Sequence, residues 1–402
     1  MSITSTAHMS THNLQPAANS RPYQMCKRCV MDTSDPEIEF DAEGLCHHCR
    51  TYEELAKTHI LPDAQRKQAL DQLIIDIKQK GAGKNYDCII GVSGGVDSTY
   101  LAYLVKQQGL RPLAVHMDNG WNSELAVSNI EKVLKKLDID LYTNVLDWEE
   151  FKDLQIAFLK ASVSDAEIPT DHAIWATLYK AADVQNVSYI LLGANFVTES
   201  ILPTSWTYGI LDWRYIKSIH QQFGTTKLRK FPHLSFWDVR FRLPFIKGIK
   251  VVNFLDYVPF DKNEARRVLE EELEWRPYGG KHYESIYTRF FQGYILTQKF
   301  SIDKRRAHLS NLIMSKQISR EEAFTELSHP PYAGYMLEED MEYLLKKFGF
   351  TEDEFNRIMT LPVKSYRNYP NSVGLSKAIM QGLTMLQIGK WMRALGLRKQ
   401  LA

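Results

Sequence analysis

The sequence predicts an α/β protein: a doubly wound parallel sheet, preceded by a small metal module and followed by a helical region. Three observations carry that expectation. From about residue 87, short apolar runs alternate with amphipathic helical runs, the pattern of buried parallel strands and crossover helices. Between the first such strand and the next helix lies Gly91-Val92-Ser93-Gly94-Gly95-Val96-Asp97-Ser98-Thr99. Near the N-terminus stand two Cys-x-x-Cys turns.

At 402 residues the chain is long enough for two or three domains. Its net charge of +1 provides no global field to recruit nucleic acid. No apolar run reaches membrane-spanning length. Residues 1–22 are rich in Ser, Thr, His and Asn and hold no apolar signal core, so a disordered tail and a cytoplasmic protein are expected.

Four of the five cysteines form Cys26-x-x-Cys29 and Cys46-x-x-Cys49, with sixteen residues between the pairs. In a reducing compartment this spacing reads as a four-thiolate zinc site rather than disulfides. A zinc module is therefore expected over 23–50. His47 and His48 are spare ligands that four thiolates do not need. A closed four-thiolate site is structural, or it holds a partner or shapes the entrance to an active site. A helical linker follows over 51–84, with Leu70, Leu73, Ile74 and Ile77 at helical spacing.

The α/β domain is expected over 85–262. Strands are read at 87–92, 112–118, 141–146 and 189–194, with helices at 99–108, 123–137, 149–161 and 172–186. Ligands in such sheets bind at the carboxyl ends of the strands. That rule selects the Ser93–Ser98 loop, the stretch from His116 and Met117 to Gly120, Asp147, and Gly193 to Asn195 with Glu199. A strand, glycine turn and helix start form a phosphate cradle, in which Ser93, Gly94, Gly95, Val96, Asp97 and Ser98 are the candidate contacts. No Gly-Lys-Ser/Thr closes the loop, so it is not a Walker loop. A carboxylate beside a polyphosphate needs a cation between them, which makes Asp97 a candidate magnesium ligand.

Residues 201–250 stand out as an insertion. Between Arg214 and Lys250 there are nine Lys/Arg, one acid (Asp238) and interleaved aromatic rings. They suit either an anionic ligand with stacking surfaces or a docking surface whose rings are core. A fifth strand is read at 253–260, then a helix at 263–274 capped by Asp261. The remainder, to 402, reads helical. In it, Lys281 follows Gly279-Gly280, and Lys304-Arg305 opens a helix. Lys281, then Lys304, with Arg289 in reserve, are candidate cations for a departing pyrophosphate. Asp171 or His172 is a candidate proton acceptor, and a helix-capping role for Asp171 is an equal alternative.

The form Ser93-Gly94-Gly95-Val96-Asp97-Ser98 resembles the loop of the ATP pyrophosphatases (PP-loop, adenine-nucleotide α-hydrolase type), which split ATP into AMP and pyrophosphate. More specific blocks resemble the N-acetyl sugar amidotransferases of surface-polysaccharide biosynthesis: Cys26-Lys27-Arg28-Cys29-Val30-Met31-Asp32-Thr33 with Cys46-x-x-Cys49, Gly193-Ala194-Asn195, Gly279-Gly280-Lys281-His282-Tyr283-Glu284-Ser285, and Asp303-Lys304-Arg305-Arg306-Ala307-His308-Leu309-Ser310. The likeness spans roughly 23 to 395. It implies ATP, Mg²⁺ and Zn²⁺ as cofactors and a nucleotide-linked sugar as substrate, in O-antigen or related surface-polysaccharide biosynthesis. It implies attack of an acetamido oxygen on ATP and displacement of AMP by ammonia, giving an acetamidino group. His116, Met117, Gly193, Asn195, Lys281 and Arg305 would join the nucleotide site. The fifth cysteine, Cys88, lies mid-strand, so ammonia is expected from a separate glutaminase similar to that of imidazole glycerol phosphate synthase, often with a cyclase-like companion. The rivals are a PP-loop tRNA-thiolation enzyme, which the committed cysteines and neutral charge disfavour, and a non-catalytic zinc scaffold.

Overall fold

A computed structural model of the chain describes residues 21–280, 283–332, 334–377 and 379. It holds one five-stranded parallel sheet in the order β3-β2-β1-β4-β5. The strands are β1 (Cys88–Gly91), β2 (Pro112–Asp118), β3 (Asp140–Val145), β4 (Tyr189–Leu192) and β5 (Lys250–Asn253). β1, β2 and β4 are apolar and buried because helices cover both faces. The strand order reverses between β1 and β4, which opens a crevice at their carboxyl ends. This is the predicted doubly wound class.

The helices before and within the sheet are α1 (His47–His59), α2 (Asp63–Gly81), α3 (Val96–Gln107), α4 (Glu124–Leu137), α5 (Trp148–Ala161) and α6 (Ile168–Val184). After β4 come α7 (Phe196–Glu199), α8 (Trp213–Phe223) and a π-helical turn at Asp238–Ile246. The C-terminal region comprises α9 (Lys262–Leu273), α10 (Ile286–Phe290), α11 (Leu296–Phe300), α12 (Arg305–Met314), α13 (Arg320–Ser328), α14 (Gly334–Phe348) and α15 (Glu352–Thr360). None of the described helices is long and apolar enough to cross a membrane.

Two sequence expectations shift. The fifth strand is Lys250–Asn253, and Phe254–Tyr257 coils into a 3-10 turn with Phe254 and Leu255 buried. Helix α6 begins four residues earlier than read, at Ile168, because Pro169 in its first turn suits a helix start. Asp171 therefore lies inside the first turn, and Glu167 occupies the N-cap position. The capping alternative for Asp171 is withdrawn. Asp261 does cap α9, its carboxylate accepting from the Glu264 amide at 2.9 Å.

The basic aromatic insertion is largely a docking surface from Trp213 to Phe231. Glu150 on α5 accepts from the backbone amides of Arg229, Lys230 and Phe231. Asp153, one turn on, accepts from the Thr225 and Thr226 amides and pairs with His220. Trp213 stacks between His172 and His233 at 5.6 and 4.3 Å between ring centres. Each buried acid thereby satisfies loop amides that would otherwise be stranded. The outer rings differ: Trp237 and Phe245 stay 59% and 50% exposed.

Lys299 on α11 is buried among Leu159, Phe291, Ile295 and Met359, with its ammonium donating to the Ile358 carbonyl. Burial pulls its pKa down from 10.5 to about 8. Between those values the unfolded chain holds a proton that the folded chain lacks, so stability rises with pH through that window. At neutral pH the buried charge costs on the order of 1–3 kcal/mol. Lys299→Met is expected to raise the melting temperature at pH 7 and to flatten the dependence of stability on pH between about 8 and 10.5, as thermal denaturation across that range would record.

Candidate functional site

The cradle is built by β1, α3 and a tether from behind. Gly94 adopts φ +84°, a conformation that favours glycine, and an added Cβ would meet the Tyr278 hydroxyl at 2.8 Å. Its carbonyl accepts from Trp275 Nε1 at 2.8 Å and from the Tyr278 hydroxyl at 2.7 Å. The carbonyl is thus turned away from the open side of the loop. The Ser93 and Ser98 hydroxyls lie 3.1 Å apart, and Ser98 accepts from the Ser93 amide. Gly95 stands at the N-cap of α3, where no side chain covers the amides of the first turn. Val96, Asp97 and Ser98 make up that turn, so the predicted loop residues form one anion-binding start of a helix.

Gly193 closes the crevice from β4. An added Cβ there would come within 2.7 Å of the Asp97 carbonyl and 2.9 Å of the Ser98 amide. Only a glycine allows that approach. Asn195 caps α7 through Oδ1, and its buried Nδ2 has no hydrogen-bond partner among the described residues. A stranded donor beside the crevice suits a ligand acceptor. The open amides, the close approach at Gly193 and the Asn195 amide fit a nucleotide polyphosphate. ATP bound there would supply the electrophilic phosphorus and its leaving group. Asp97 on the same turn is the residue suited to a hard cation.

His116 and Met117 lie at the exit of β2, next to the start of the loop. His116 is buried, its Nδ1–H donating to the Val92 carbonyl and its Nε2 accepting from Asn122. Met117, facing the other side of the strand, packs into the core. Both brace the exit of β2. Asp147 is likewise committed: it caps α5 and pairs with Lys230 at 2.8 Å.

The C-terminal region reaches the same edge. The Ser123 amide donates to the Glu284 carbonyl, and the Ile286 amide to the Trp121 carbonyl. Lys281 and its neighbour His282 lie outside the described residues. Arg289 is not a phosphate cation, because it forms a two-point pair with buried Asp340 at 2.6 and 2.7 Å. Arg305 is held by Asp303 and by the carbonyls ending α13, Glu326 and His329, which sets it apart from the expected nucleotide role.

Lys304 is different. Its ammonium lies 3.2 Å from Glu167, which also accepts from Gln292 at 2.8 Å. Asp165 and Asp171 share the recess. Burial opposes the charge on Lys304, but Glu167 and Asp165 outweigh it and hold the lysine above its usual pKa. Burial pushes the Asp165 carboxyl up to about 6, and burial with Glu167 and Asp165 nearby pushes Asp171 well above the carboxylate range. The recess adjoins the exit of β2, where Asn119 meets Thr170 at 3.5 Å. Three acids facing one lysine form a site that can hold a small cation or move a proton. Sequence reading missed Asp165 and Glu167, although two acids just before Pro169 were a usable signal. It also missed Trp275 as the loop's tether.

The four cysteines meet at one point. Cys26–Cys49, Cys29–Cys46 and Cys46–Cys49 are 3.8, 3.6 and 3.7 Å apart. A zinc tetrahedron with bonds of about 2.3 Å needs sulfur separations of about 3.8 Å. Backbone amides of Arg28, Met31 and Cys46 point at the sulfurs. The set fits structural Zn²⁺, whose chemistry there is to lock four thiolates.

With the geometry in place, residues 284–383 match the family described as LPS biosynthesis protein WbpG-like, C-terminal domain. That match supports the N-acetyl sugar amidotransferase family that the sequence resembles. An uncharacterised protein of Methanocaldococcus jannaschii is 23% identical over 328 residues, 78% of this chain and 96% of that protein. A tRNA(Ile)-lysidine synthase of Chlamydia pneumoniae is 35% identical over 71 residues, 17% of this chain and 22% of that enzyme. An NH3-dependent NAD synthetase of Campylobacter jejuni superposes with a TM-score of 0.29 at 17% identity, over 38% of this chain and 64% of that one. The WbpG-like match and the AMP-forming type of loop support an ATP-using enzyme of polysaccharide biosynthesis.

Two outcomes are expected. Metal analysis should find about one zinc per folded chain, and Cys46→Ser should lose it together with several kcal/mol of stability. Trp275→Phe removes one of two bonds holding the Gly94 carbonyl, worth about 1 kcal/mol, so steady-state kinetics should show a roughly fivefold rise in KM for ATP.

Proposed function

We propose that this chain is an ATP-dependent amidotransferase acting on the N-acetyl group of a nucleotide-linked sugar, with ammonia delivered by a separate glutaminase subunit. The observation that carries the reading is the pairing, at the carboxyl ends of the strands, of a phosphate cradle of Ser-Gly-Gly-x-Asp-Ser form with the carboxylate–lysine recess at Asp165, Glu167, Asp171 and Lys304. The acetamido oxygen attacks the α-phosphorus of ATP and pyrophosphate leaves, giving an O-adenylyl imidate. Ammonia attacks the imidate carbon, the C–O bond to AMP breaks, and the nitrogen gives up a proton. Asp171, held as a weak acid by burial, is the acceptor in this scheme, and Lys304 provides fixed positive charge for the departing phosphates. The WbpG-like C-terminal segment supports a sugar-linked acceptor.

A tRNA-thiolation reading needs a reactive thiol. Cys88 is fully buried on β1, burial pushes its thiol up, and the other four cysteines form the metal cluster.

Incubation with ATP, Mg²⁺, an ammonium salt and a panel of UDP-N-acetyl sugars should yield AMP and pyrophosphate, with a product in which NH replaces one oxygen. Formation of ADP would sink the mechanism. Asp171→Asn should lower kcat about 10²- to 10⁴-fold while leaving the KM for ATP near its original value. In the unaltered enzyme, kcat should rise with pH as Asp171 ionises, through a transition above the usual carboxylate range, and the variant should lose that transition.

A further inference from the structure

A cavity of about 410 Å³ lies at the end of edge strand β3. One wall is the end of edge strand β3, Asn144 to Asp147. The second is a single face of α6, where Ala176, Tyr179, Lys180 and Asp183 recur at helical spacing. The third is the insertion from Lys230 to Leu243. Its floor is apolar, formed by Leu146, Phe231 and Leu234 among others. Two sets of ion pairs hold the insertion in place: Lys230 with Asp147 at 2.8 Å, and Arg242 with both Asp183 and Asp238 at 2.9 and 2.6 Å. Lys247 adds a second cation to Asp183 at 2.7 Å.

The acids lining the cavity are therefore neutralised by cations of the insertion. Lys180 and the Tyr179 hydroxyl are not used in this way: neither makes a hydrogen bond or ion pair with another described residue, and both line the cavity. The balance of charge is a single positive group beside a hydroxyl donor. The His233 ring, stacked on Trp213 with Nδ1 bonded to the Phe231 carbonyl, leaves Nε2 as a further polar contact. β3 is an edge strand, so its outer backbone groups are open to a partner. An apolar floor, a flat ring at the wall, an open strand edge and one uncommitted cation suit a nucleobase, its sugar and one phosphate. β3 lies two strands from β1, roughly 10 Å at the usual strand spacing. A diphosphate and the hexose it carries can together cover that distance, from this cavity to the cradle after β1.

We propose that this cavity seats the nucleoside end of the nucleotide-linked sugar, with Lys180 and Tyr179 meeting its phosphate and hydroxyl groups, while the sugar's N-acetyl group reaches the α-phosphate of ATP. The proposal rests on the nucleotide-sugar reading above. It would make the basic insertion a specificity element for the carrier nucleotide.

The test uses the full chain with UDP, GDP and dTDP as probes, by calorimetry and hydrogen exchange. One of them should bind and protect 141–147, 176–183 and 230–243. Lys180→Ala should weaken that probe at least tenfold and leave ATP affinity unchanged, and Tyr179→Phe should weaken it less. The proposal is overturned if none of the three binds, if protection falls only on 91–99, or if Lys180→Ala binds like the original. Binding at this cavity without AMP formation from any nucleotide sugar would uphold the site and refute the amidotransferase reading. AMP formation with no effect of Lys180→Ala on probe affinity or on KM for the sugar would do the reverse.

Discussion

The structure turns on the carbonyl of Gly94. A loop of Ser-Gly-Gly type can bind phosphate only if its amides face outward, which requires its carbonyls to be satisfied elsewhere. Here Trp275 and Tyr278 take one of them from behind. Those two rings come from the stretch after α9, which Asn129 on α4 fixes by bonding both the amide and the carbonyl of Arg276. The cradle therefore depends on residues some 180 positions away in sequence. The stretch that opens the C-terminal region thus helps to shape the loop.

That dependence explains what could be read from the chain alone. The strands, the glycine turn and the Asp261 cap are local: each is decided by a few neighbouring residues. So was the four-cysteine cluster, whose spacing already contains its chemistry. The fates of the cations were not legible. Arg289, Lys304 and Arg305 look alike in sequence, and each is assigned by the acid that the fold brings to it: Asp340, Glu167 or Asp303. Only Arg305 meets its partner locally. The packing of His116 and Met117 was not legible for a related reason. A strand end points successive side chains to opposite faces, and here one face is a brace and the other is core.

Helix α6 shows how a small local error changes a chemical argument. If α6 started at His172, Asp171 at its N-cap would accept from helix amides and keep an ordinary carboxylate pKa. Starting at Ile168 instead sets Asp171 within the first turn, beside Asp165 and Glu167, where desolvation and like charges raise its pKa. The raised pKa is what suits this residue to the acceptor role proposed for it. Pro169, which favours the first turn, is what makes the difference.

The four-cysteine module belongs to the same chain of dependence. Its first turn leaves buried carbonyls that must find donors, and two arginines supply them. Arg320 donates to the carbonyls of Cys26 and Cys29, and Arg306 donates to that of Val30 while pairing with Asp32. Ser310 accepts from the Val30 amide. Arg306 and Ser310 lie on α12, whose N-cap position is Lys304. A thiolate cluster that fixes the turn thus fixes the helix that presents Lys304 to Glu167. Without the cluster, the carbonyls would be free to move and α12 would lose the contacts that orient it. The four thiolates lie far from Lys304 in sequence, yet the position of the lysine that would face the departing phosphates depends on their turn through two hydrogen-bonded side chains, Arg306 and Ser310.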